Sequence, residues 1–170
     1  MRIALIGFMG CGKTTLGKLL AKRLGYKFID TDSEIEKRIG LTIPKIFEKH
    51  GEKFFREKEK EVMLDILKKD NIVIATGGGL PAYKNNMKIL NENALTVFID
   101  VDFETIWNRI KQDANRPLAK KGKEFTLKLY NLRKPFYKLS KITIYQKENE
   151  SPEKLTETVL EKIKKVQQKA

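Results

Sequence analysis

The sequence predicts an α/β fold with three layers, in which helices cover both faces of a parallel sheet. Five short runs of mostly Val, Ile, Leu and Phe alternate along the chain with longer stretches of helical period. Most of these runs lack the polar alternation of a half-exposed strand, so they suit a sheet buried on both faces. The length of 170 residues and the hydrophobic content of 41% fit a single domain, 1–170, with one core.

In the first half of the chain, a strand at 3–6 leads into an amphipathic helix at 13–24. The bounds of the remaining elements are predicted from capping and helix-breaking residues. Ser33 and Glu36 form a capping box at a helix start, and Gly51 interrupts a later helical stretch. In order, we expect a strand at 28–29, helices at 33–39 and 44–69, and a strand at 72–75.

The second half continues the alternation. Asp102 can cap one helix, and Ser151 before Pro152 is a cap with proline in the first turn of another. In order, we expect a helix at 85–90, a strand at 95–99, helices at 103–111 and 125–139, a strand at 142–145 and a helix at 152–166.

The chain is strongly basic, with 35 Lys and Arg against 22 Asp and Glu and a formal net charge of +13. This charge fits a polyanionic partner such as nucleic acid, an anionic small substrate, or simply a lysine-coated surface. A single cysteine excludes an intrachain disulfide and favours a cytoplasmic protein. No apolar run approaches the length of a membrane span, and the run at 3–9 is shorter than the core of an export signal, so we expect no membrane partner.

The strongest motif is the segment GFMGCGKT at 7–14, which fits the phosphate-loop pattern G-x-x-x-x-G-K-[ST] without a mismatch. A predicted strand leads in and a predicted helix leads out, so backbone amides of the loop can converge on a phosphate. Lys13 then supplies positive charge to the β- and γ-phosphates, and the hydroxyl of Thr14 is a ligand for Mg²⁺. Cys11 occupies a free position of the motif and is interpreted as a spacer.

Two further motifs follow strands whose carboxyl ends should meet the phosphate loop. Asp30 and Asp32 are two residues apart, and in extended chain they would share a face. One could hold Mg²⁺ through water while the other orients or deprotonates an acceptor hydroxyl; alternatively both are turn residues. Three glycines at 77–79 indicate a substrate lying directly on backbone, or else a flexible loop.

Arg56 and Arg133 lie in different predicted helices, and two arginines can together grip a carboxylate, although surface ion pairing is the alternative for either one. Residues 113–124 are polar, rich in Lys and Gly, and too long for a tight turn. This segment is either a mobile lid or a disordered insertion.

Taken together, these residues resemble the shikimate kinase family over essentially the whole chain. The resemblance rests on the phosphate loop followed in order by D-T-D at 30–32, G-E-x-x-F-R at 51–56, T-G-G-G at 76–79, N-R-P-L at 115–118, and Arg133 with Pro135. Family membership implies transfer of the ATP γ-phosphoryl group to the 3-hydroxyl of shikimate, in chorismate biosynthesis. It also implies a P-loop kinase fold with a five-stranded parallel sheet in the order 2-3-1-4-5, and a monomer.

The resemblance also implies a role for each matching position. Shikimate would be bound by Asp32, Arg56, Gly78 and Arg133, within a subregion at about 31–60. Lys13, Asp32 and Arg116 would be catalytic, with Asp32 the candidate base and a lid at about 112–124 carrying Arg116. The nucleotide would contact Gly10, Cys11, Gly12, Lys13, Thr14, Thr15, Arg109 and Arg116, with Arg109 against the adenine, and Mg²⁺ would contact Thr14 and Asp30. Phe47, Phe55 and Glu59 are expected to shape the pocket, and 147–152 to form the adenine loop.

Two other readings stay open from the sequence. One is a different small-molecule P-loop kinase, acting on gluconate or a nucleoside monophosphate, although neither explains why D-T-D and T-G-G-G occur together. The other is a basic ATP-binding module that acts on nucleic acid, which would need basic residues interleaved with aromatics on one surface. The chain departs from the family pattern at Ala119, where the family often has a second leucine after R-P-L. This difference affects the packing expected for the lid.

Overall fold

The computed structural model describes residues 1–113 and 116–170. Its five strands are β1 (Arg2–Ile6), β2 (Lys27–Asp30), β3 (Ile72–Ala75), β4 (Leu95–Asp100) and β5 (Ile142–Tyr145). Its α-helices are α1 (Lys13–Leu24), α2 (Thr31–Ile39), α3 (Ile43–Ile66), α4 (Asn86–Asn93), α5 (Phe103–Ile110), α6 (Lys123–Tyr137) and α7 (Pro152–Gln168). A 3₁₀ turn at Ala119–Lys121 precedes α6.

All strand pairs are parallel and the order is β2-β3-β1-β4-β5, as the family resemblance implies. The three central strands are almost entirely buried, whereas β5 at one edge alternates buried and exposed residues. Helix α1 packs against β2, β3 and α7, and α4 packs against β4. Because crossovers between parallel strands are right-handed, α1 and the helices that follow β3 are expected on opposite faces of the sheet. The chain is therefore a three-layer α/β sandwich with its core on both sides of β1, β3 and β4.

Three local expectations are wrong. Helix α2 begins at Thr31 because the Asp30 carboxylate accepts a hydrogen bond from the Ser33 amide (3.1 Å), so Ser33 does not cap the helix. Glu36, the other half of the expected capping box, instead accepts from the Ile43 amide at 2.9 Å and joins α2 to α3. Asp102 precedes α5 but makes no side-chain cap, since its carboxylate accepts from the Tyr145 hydroxyl at 2.8 Å.

The expected cap at Ser151 and the expected break at Gly51 are confirmed. Ser151 accepts from the Lys154 amide at the start of α7, at 3.1 Å. Gly51 interrupts α3 with φ 82° and ψ 172°, a conformation that only glycine adopts readily. No helix among the described residues combines the length and the apolar character needed to cross a bilayer.

Candidate active site

The phosphate loop joins β1 to α1 and leaves the amino end of α1 open to the cleft. Gly12 caps the helix with φ 93°, and Gly10 has φ 75° and lies so close to Ile110 that a Cβ atom there would clash. Because glycine has no side chain, the backbone amides at these two positions can approach a bound phosphate directly. The loop and the positive end of the helix dipole thus form a binding site for a phosphate.

Lys13 supplies the positive charge of this loop. Its ammonium donates to the carbonyl oxygens of Gly7 (2.6 Å) and Phe8 (2.9 Å), and the residue is buried. These neutral carbonyls hold the charge beside the loop without neutralising it. The ammonium can therefore form stronger, charge-assisted hydrogen bonds with phosphate oxygens.

Thr14 and Asp30 meet next to the loop, with the Thr14 hydroxyl donating to the Asp30 carboxylate at 3.2 Å. Because Asp30 also caps α2, its carboxylate is fixed in orientation. A hydroxyl and a carboxylate are oxygen donors that suit Mg²⁺, which proteins bind through one or two such groups together with substrate phosphates. In the described part of the chain, no cluster of three or more His, Cys, Asp or Glu side chains is arranged to hold a metal alone.

Asp32 lies in the first turn of α2, two residues past the end of β2. The expected reason for its placement was wrong, since Asp30 and Asp32 do not share a face of extended chain; the start of a helix turns both into the cleft. Burial raises the pKa of Asp32 to about 6, and the Asp30 carboxylate adds to this, while Lys13 and Arg56 oppose it. A carboxyl group with a pKa near neutrality is suited to accept a proton from an alcohol.

The segment Gly77–Gly79, here called the glycine loop, follows β3 and touches both arginines. A Cβ on Gly79 would clash with the Arg56 guanidinium, and one on Gly78 would lie 3.4 Å from Nη1 of Arg133. The glycines therefore let two cations from α3 and α6 approach the same stretch of backbone. The sequence predicted that these two arginines act together on a carboxylate and that a substrate lies on the glycine backbone; their own close approach to that backbone was not predicted.

The two arginines differ in their partners. Arg56 forms an ion pair with Glu59 at 2.8 Å, whereas Arg133 has no acidic partner within ion-pair distance in residues 1–113 and 116–170. Burial lowers the pKa of Arg133, and the hydrogen-bonded Tyr137 side chain opposes this shift. The pKa of a guanidinium lies so far above neutral pH that the group stays charged even when buried. Arg56 and Arg133 together therefore carry more positive charge than Glu59 can balance, which suits an anionic ligand.

Glu59 completes the cluster beside Asp32. Its Oε2 would lie 3.0 Å from a Cβ on Gly77, and Oδ1 of Asp32 would lie 2.7 Å from the same point. Burial raises the pKa of Glu59 to about 7, although Arg56 lowers it. Two carboxyl groups therefore flank the glycine loop, and both titrate near neutrality.

Arg109 contacts the phosphate loop from the end of α5, and Arg116 lies in the segment that follows this helix. Arg109 donates to the Gly10 carbonyl at 3.1 Å, and Nε of Arg116 pairs with Asp113 at 3.4 Å. Arg116 is half-exposed and lines the cleft. Ala114 and Asn115, which belong to the expected lid and to the N-R-P-L motif, lie outside the described residues.

One cleft of about 890 Å³ is lined by every site residue that the sequence predicted. They are Gly10, Cys11, Gly12, Lys13, Thr14, Thr15, Asp30, Asp32, Arg56, Gly78, Arg109, Arg116 and Arg133. Its volume is at the upper end of the usual range for ligand pockets, about 300–1,000 Å³. The cleft can accept a nucleotide at the phosphate loop and a second, smaller ligand near the glycine loop.

Two buried hydroxyls in this region were missed by the reasoning from sequence. Thr31 accepts a hydrogen bond from the Gly77 amide at 2.8 Å, and Tyr137 donates to the Gly78 carbonyl at 2.6 Å. The available signal for Tyr137 was its spacing of four residues from Arg133, which puts both on one face of α6. For Thr31 the only signal was its place between two carboxylates.

A phosphate loop at a parallel sheet of order 2-3-1-4-5, facing a carboxyl group and a pair of arginines, defines a P-loop kinase for a small anionic acceptor. The family model described as shikimate kinase matches residues 9–164. The chain belongs to the shikimate kinase family, whose members are ATP-dependent kinases acting on shikimate.

Individual relatives agree over most of their length. A shikimate kinase of Caldicellulosiruptor bescii is 50% identical over 138 residues, which cover 80% of each chain. A shikimate kinase of Sulfurihydrogenibium is 42% identical over 96% of this chain and 98% of its own. The structure of the Acinetobacter baumannii shikimate kinase in complex with shikimate has 36% identity and a TM-score of 0.90, covering 95% of this chain and 92% of that one.

Proposed function

We propose that the chain transfers the γ-phosphoryl group of ATP to the 3-hydroxyl of shikimate, with ATP on the phosphate loop and shikimate beside the glycine loop. The observation that carries this assignment is the meeting of Arg56 and Arg133 at the glycine loop, next to Asp32. Shikimate has a carboxylate on a hydroxylated ring. With that carboxylate between the two guanidinium groups, the ring would present its hydroxyls to Asp32. This arrangement gives the acceptor subregion at about 31–60 a chemical purpose.

Lys13 and Arg116 would stabilise the charge on the phosphoryl group as it moves. In a loose transition state, negative charge spreads over the three outer oxygens, so catalysis depends mainly on positioned cations. Bound with ATP, Mg²⁺ would supply further neutralisation of phosphate charge, held by Thr14 and Asp30. We rank these groups above the base in importance.

Asp32 would accept the proton of the 3-hydroxyl as its oxygen bonds to the γ-phosphorus. The bond between that phosphorus and the β,γ-bridging oxygen breaks, and ADP leaves with the electron pair. Because the pKa of Asp32 is about 6, the group is largely ionised at neutral pH and still basic enough to take the proton.

The remaining assignments concern the nucleotide and the whole chain. Arg109 and residues 147–152 would contact the adenine, and residues 112–124 would close over both ligands and exclude water, which otherwise competes as acceptor. We further propose a single domain, a monomer without a nucleic-acid partner, and a cytoplasmic location where ATP is available.

The assignment of the acceptor is tested with Arg56→Ala and Arg133→Ala. Each should raise the KM for shikimate about 30- to 150-fold, the loss of a charge-assisted pair of about 2–3 kcal/mol, with less effect on the KM for ATP. Arg38→Ala is the matched control, because Arg38 pairs with Asp65 at 2.7 Å outside the cleft. An unchanged KM for shikimate in both cleft variants would remove the assignment.

A coupled assay of ADP release separates the alternatives for the acceptor. Shikimate, gluconate, nucleoside monophosphates and single-stranded DNA are added separately, and only shikimate should stimulate ADP release strongly. Stimulation by DNA alone would overturn the proposal.

A further inference from the structure

The glycine loop is attached to the rest of the site by two buried hydroxyl groups from opposite sides. One comes from α2 and binds the amide of Gly77, and the other comes from α6 and binds the carbonyl of Gly78. The Gly77 carbonyl accepts from the Leu80 amide at 3.1 Å within a turn. The Gly78 amide has no acceptor among the described residues, and Gly78 lines the cleft.

Thr31 provides the tether from α2. The residue is completely buried, and its hydroxyl oxygen accepts from Gly77 N at 2.8 Å. Its chain neighbours are Asp30 at the metal site and Asp32 at the acceptor site. The hydrogen bond therefore fixes the distance between the two proposed carboxylates and the glycine loop.

Tyr137 provides the tether from α6. Its ring is fully buried against Phe98, with the two ring centres 5.5 Å apart, and its hydroxyl donates to Gly78 O at 2.6 Å. Burial raises the pKa of Tyr137 well above its usual range, so the phenol keeps its proton and stays a donor. Tyr137 lies one turn after Arg133, so it links that guanidinium to the same loop.

We propose that Thr31 and Tyr137 are positioning residues for the phosphorylation of shikimate, an inference that rests on the proposed function. Their hydroxyls hold the glycine loop so that the Gly78 amide, Asp32 and Arg133 keep one geometry. Neither hydroxyl needs to touch the substrate or the phosphates. Loss of either hydroxyl frees the loop to shift, and the binding of the acceptor weakens while the nucleotide site is unaffected.

The experiment compares isosteric variants that remove only the hydroxyl. Tyr137→Phe and Thr31→Val should each raise the KM for shikimate about tenfold, the value expected for one hydrogen bond, with the KM for ATP unchanged within about twofold. Thr31→Ser keeps the acceptor oxygen and should restore the shikimate KM. An unchanged shikimate KM in both Tyr137→Phe and Thr31→Val overturns the inference.

Matched controls separate positioning from general stability. Tyr130 also lies on α6 and donates to the Val101 carbonyl at 3.1 Å, and Thr96 is buried and accepts from the Lys141 amide at 2.9 Å. Tyr130→Phe and Thr96→Val should change the unfolding temperature without changing the shikimate KM. An equal rise of the shikimate KM in these controls shows a merely structural effect and contradicts the inference.

Arg133→Ala, measured in the same series, separates a failure of the positioning roles from a failure of the proposed function. A raised shikimate KM in Arg133→Ala, with none in Tyr137→Phe and Thr31→Val, overturns the positioning roles and leaves the proposed function standing. No rise in any of the three overturns the proposed acceptor site itself.

Discussion

At the scale of single residues, two carboxyl groups, Asp32 and Glu59, flank Gly77 on the proposed acceptor side of the cleft. Both are buried, and burial raises the pKa of Asp32 to about 6 and of Glu59 to about 7. They have different surroundings: Glu59 is bound to Arg56 at 2.8 Å, whereas Asp30 and Lys13 act on Asp32 with opposite signs. We infer that Glu59 orients Arg56 and that Asp32 is available to the acceptor hydroxyl.

Replacing Asp32 by Asn tests its part in turnover. The amide has nearly the same size but accepts no proton at neutral pH, so Asp32→Asn should abolish most turnover while ATP still binds. Steady-state kinetics and a direct measurement of ATP binding check both halves of this expectation. The control is Asp65→Asn, since Asp65 lies outside the cleft and binds Arg38. Near-normal turnover would show that Asp32 is neither the base nor an essential anchor.

The two raised pKa values also predict how stability depends on pH. A carboxyl whose pKa is higher in the folded state than its ordinary value, 3.8 for Asp32 and 4.5 for Glu59, binds its proton more tightly when folded. Their contribution to the free energy of unfolding is therefore fully present below about pH 4 and is lost as the pH rises to about 7.

Between pH 5 and pH 8, the free energy of unfolding should therefore fall less for Glu59→Gln than for the wild type. The difference should be at most about 1.4–2.7 kcal/mol, since one pKa unit corresponds to about 1.36 kcal/mol. Thermal unfolding at several pH values measures this. Glu57→Gln, at an exposed position of the same helix, should follow the wild-type curve. Parallel curves for wild type and Glu59→Gln would contradict the raised pKa.

At the scale of elements, Gly51 divides α3, and the half of the helix after the break carries the residues that we propose bind the acceptor. The second half of the helix, after the break, carries Phe55, Arg56 and Glu59 towards the cleft. The φ of 82° and ψ of 172° at Gly51 belong to a region that side chains strongly disfavour, although space for a Cβ is open. The direction of the second half therefore depends on the backbone of one residue.

Gly51→Ala should destabilise the chain by about 1–3 kcal/mol and raise the shikimate KM, because relief of the strain turns the second half of α3. Gly25→Ala is the control: Gly25 ends α1 with φ 68° and also has open space around it, but it lies away from the cleft. It should cost about 1 kcal/mol of stability and leave the shikimate KM unchanged. Equal KM values in both variants would show that the break does not position Arg56.

The elements also show what could be predicted from the sequence. The periodicity of the apolar residues and the positions of Gly and Pro located β3, β5 and α1 to the residue and β1 to within one residue, because such patterns are formed by near neighbours along the chain. The start of α2 was misplaced because Ser33 and Glu36 fit the pattern of a capping box. In the structure Asp30 caps the helix instead, and its carboxylate still meets Thr14. The bonds of Thr31 and Tyr137 to the glycine loop join residues 46 and 59 positions apart, and no local pattern encodes such partners.

At the scale of the whole molecule, the net charge of +13 has two sources: cations that line the cleft and lysines distributed over the surface. Five cations line the cleft in which we propose that two anionic substrates bind, namely Lys13, Arg56, Arg109, Arg116 and Arg133. Much of the remainder is exposed lysine, including Lys164 and Lys165 on α7 and Lys169 just after it. The surplus thus favours a general positive field around an anion-binding cleft rather than a nucleic-acid surface.

Such a field speeds the capture of anions and weakens as salt shortens its range, from about 30 Å at 0.01 M to about 8 Å at 0.15 M ionic strength. We therefore expect kcat/KM for shikimate to fall severalfold over this range while kcat stays nearly constant, because capture depends on the field at long range and turnover on charges in contact. Replacing Lys164, Lys165 and Lys169 together by Gln should flatten the dependence of kcat/KM on salt without changing kcat. A kcat/KM independent of ionic strength in the wild type would show that the distributed lysines do not contribute to capture and that the five cleft cations act alone.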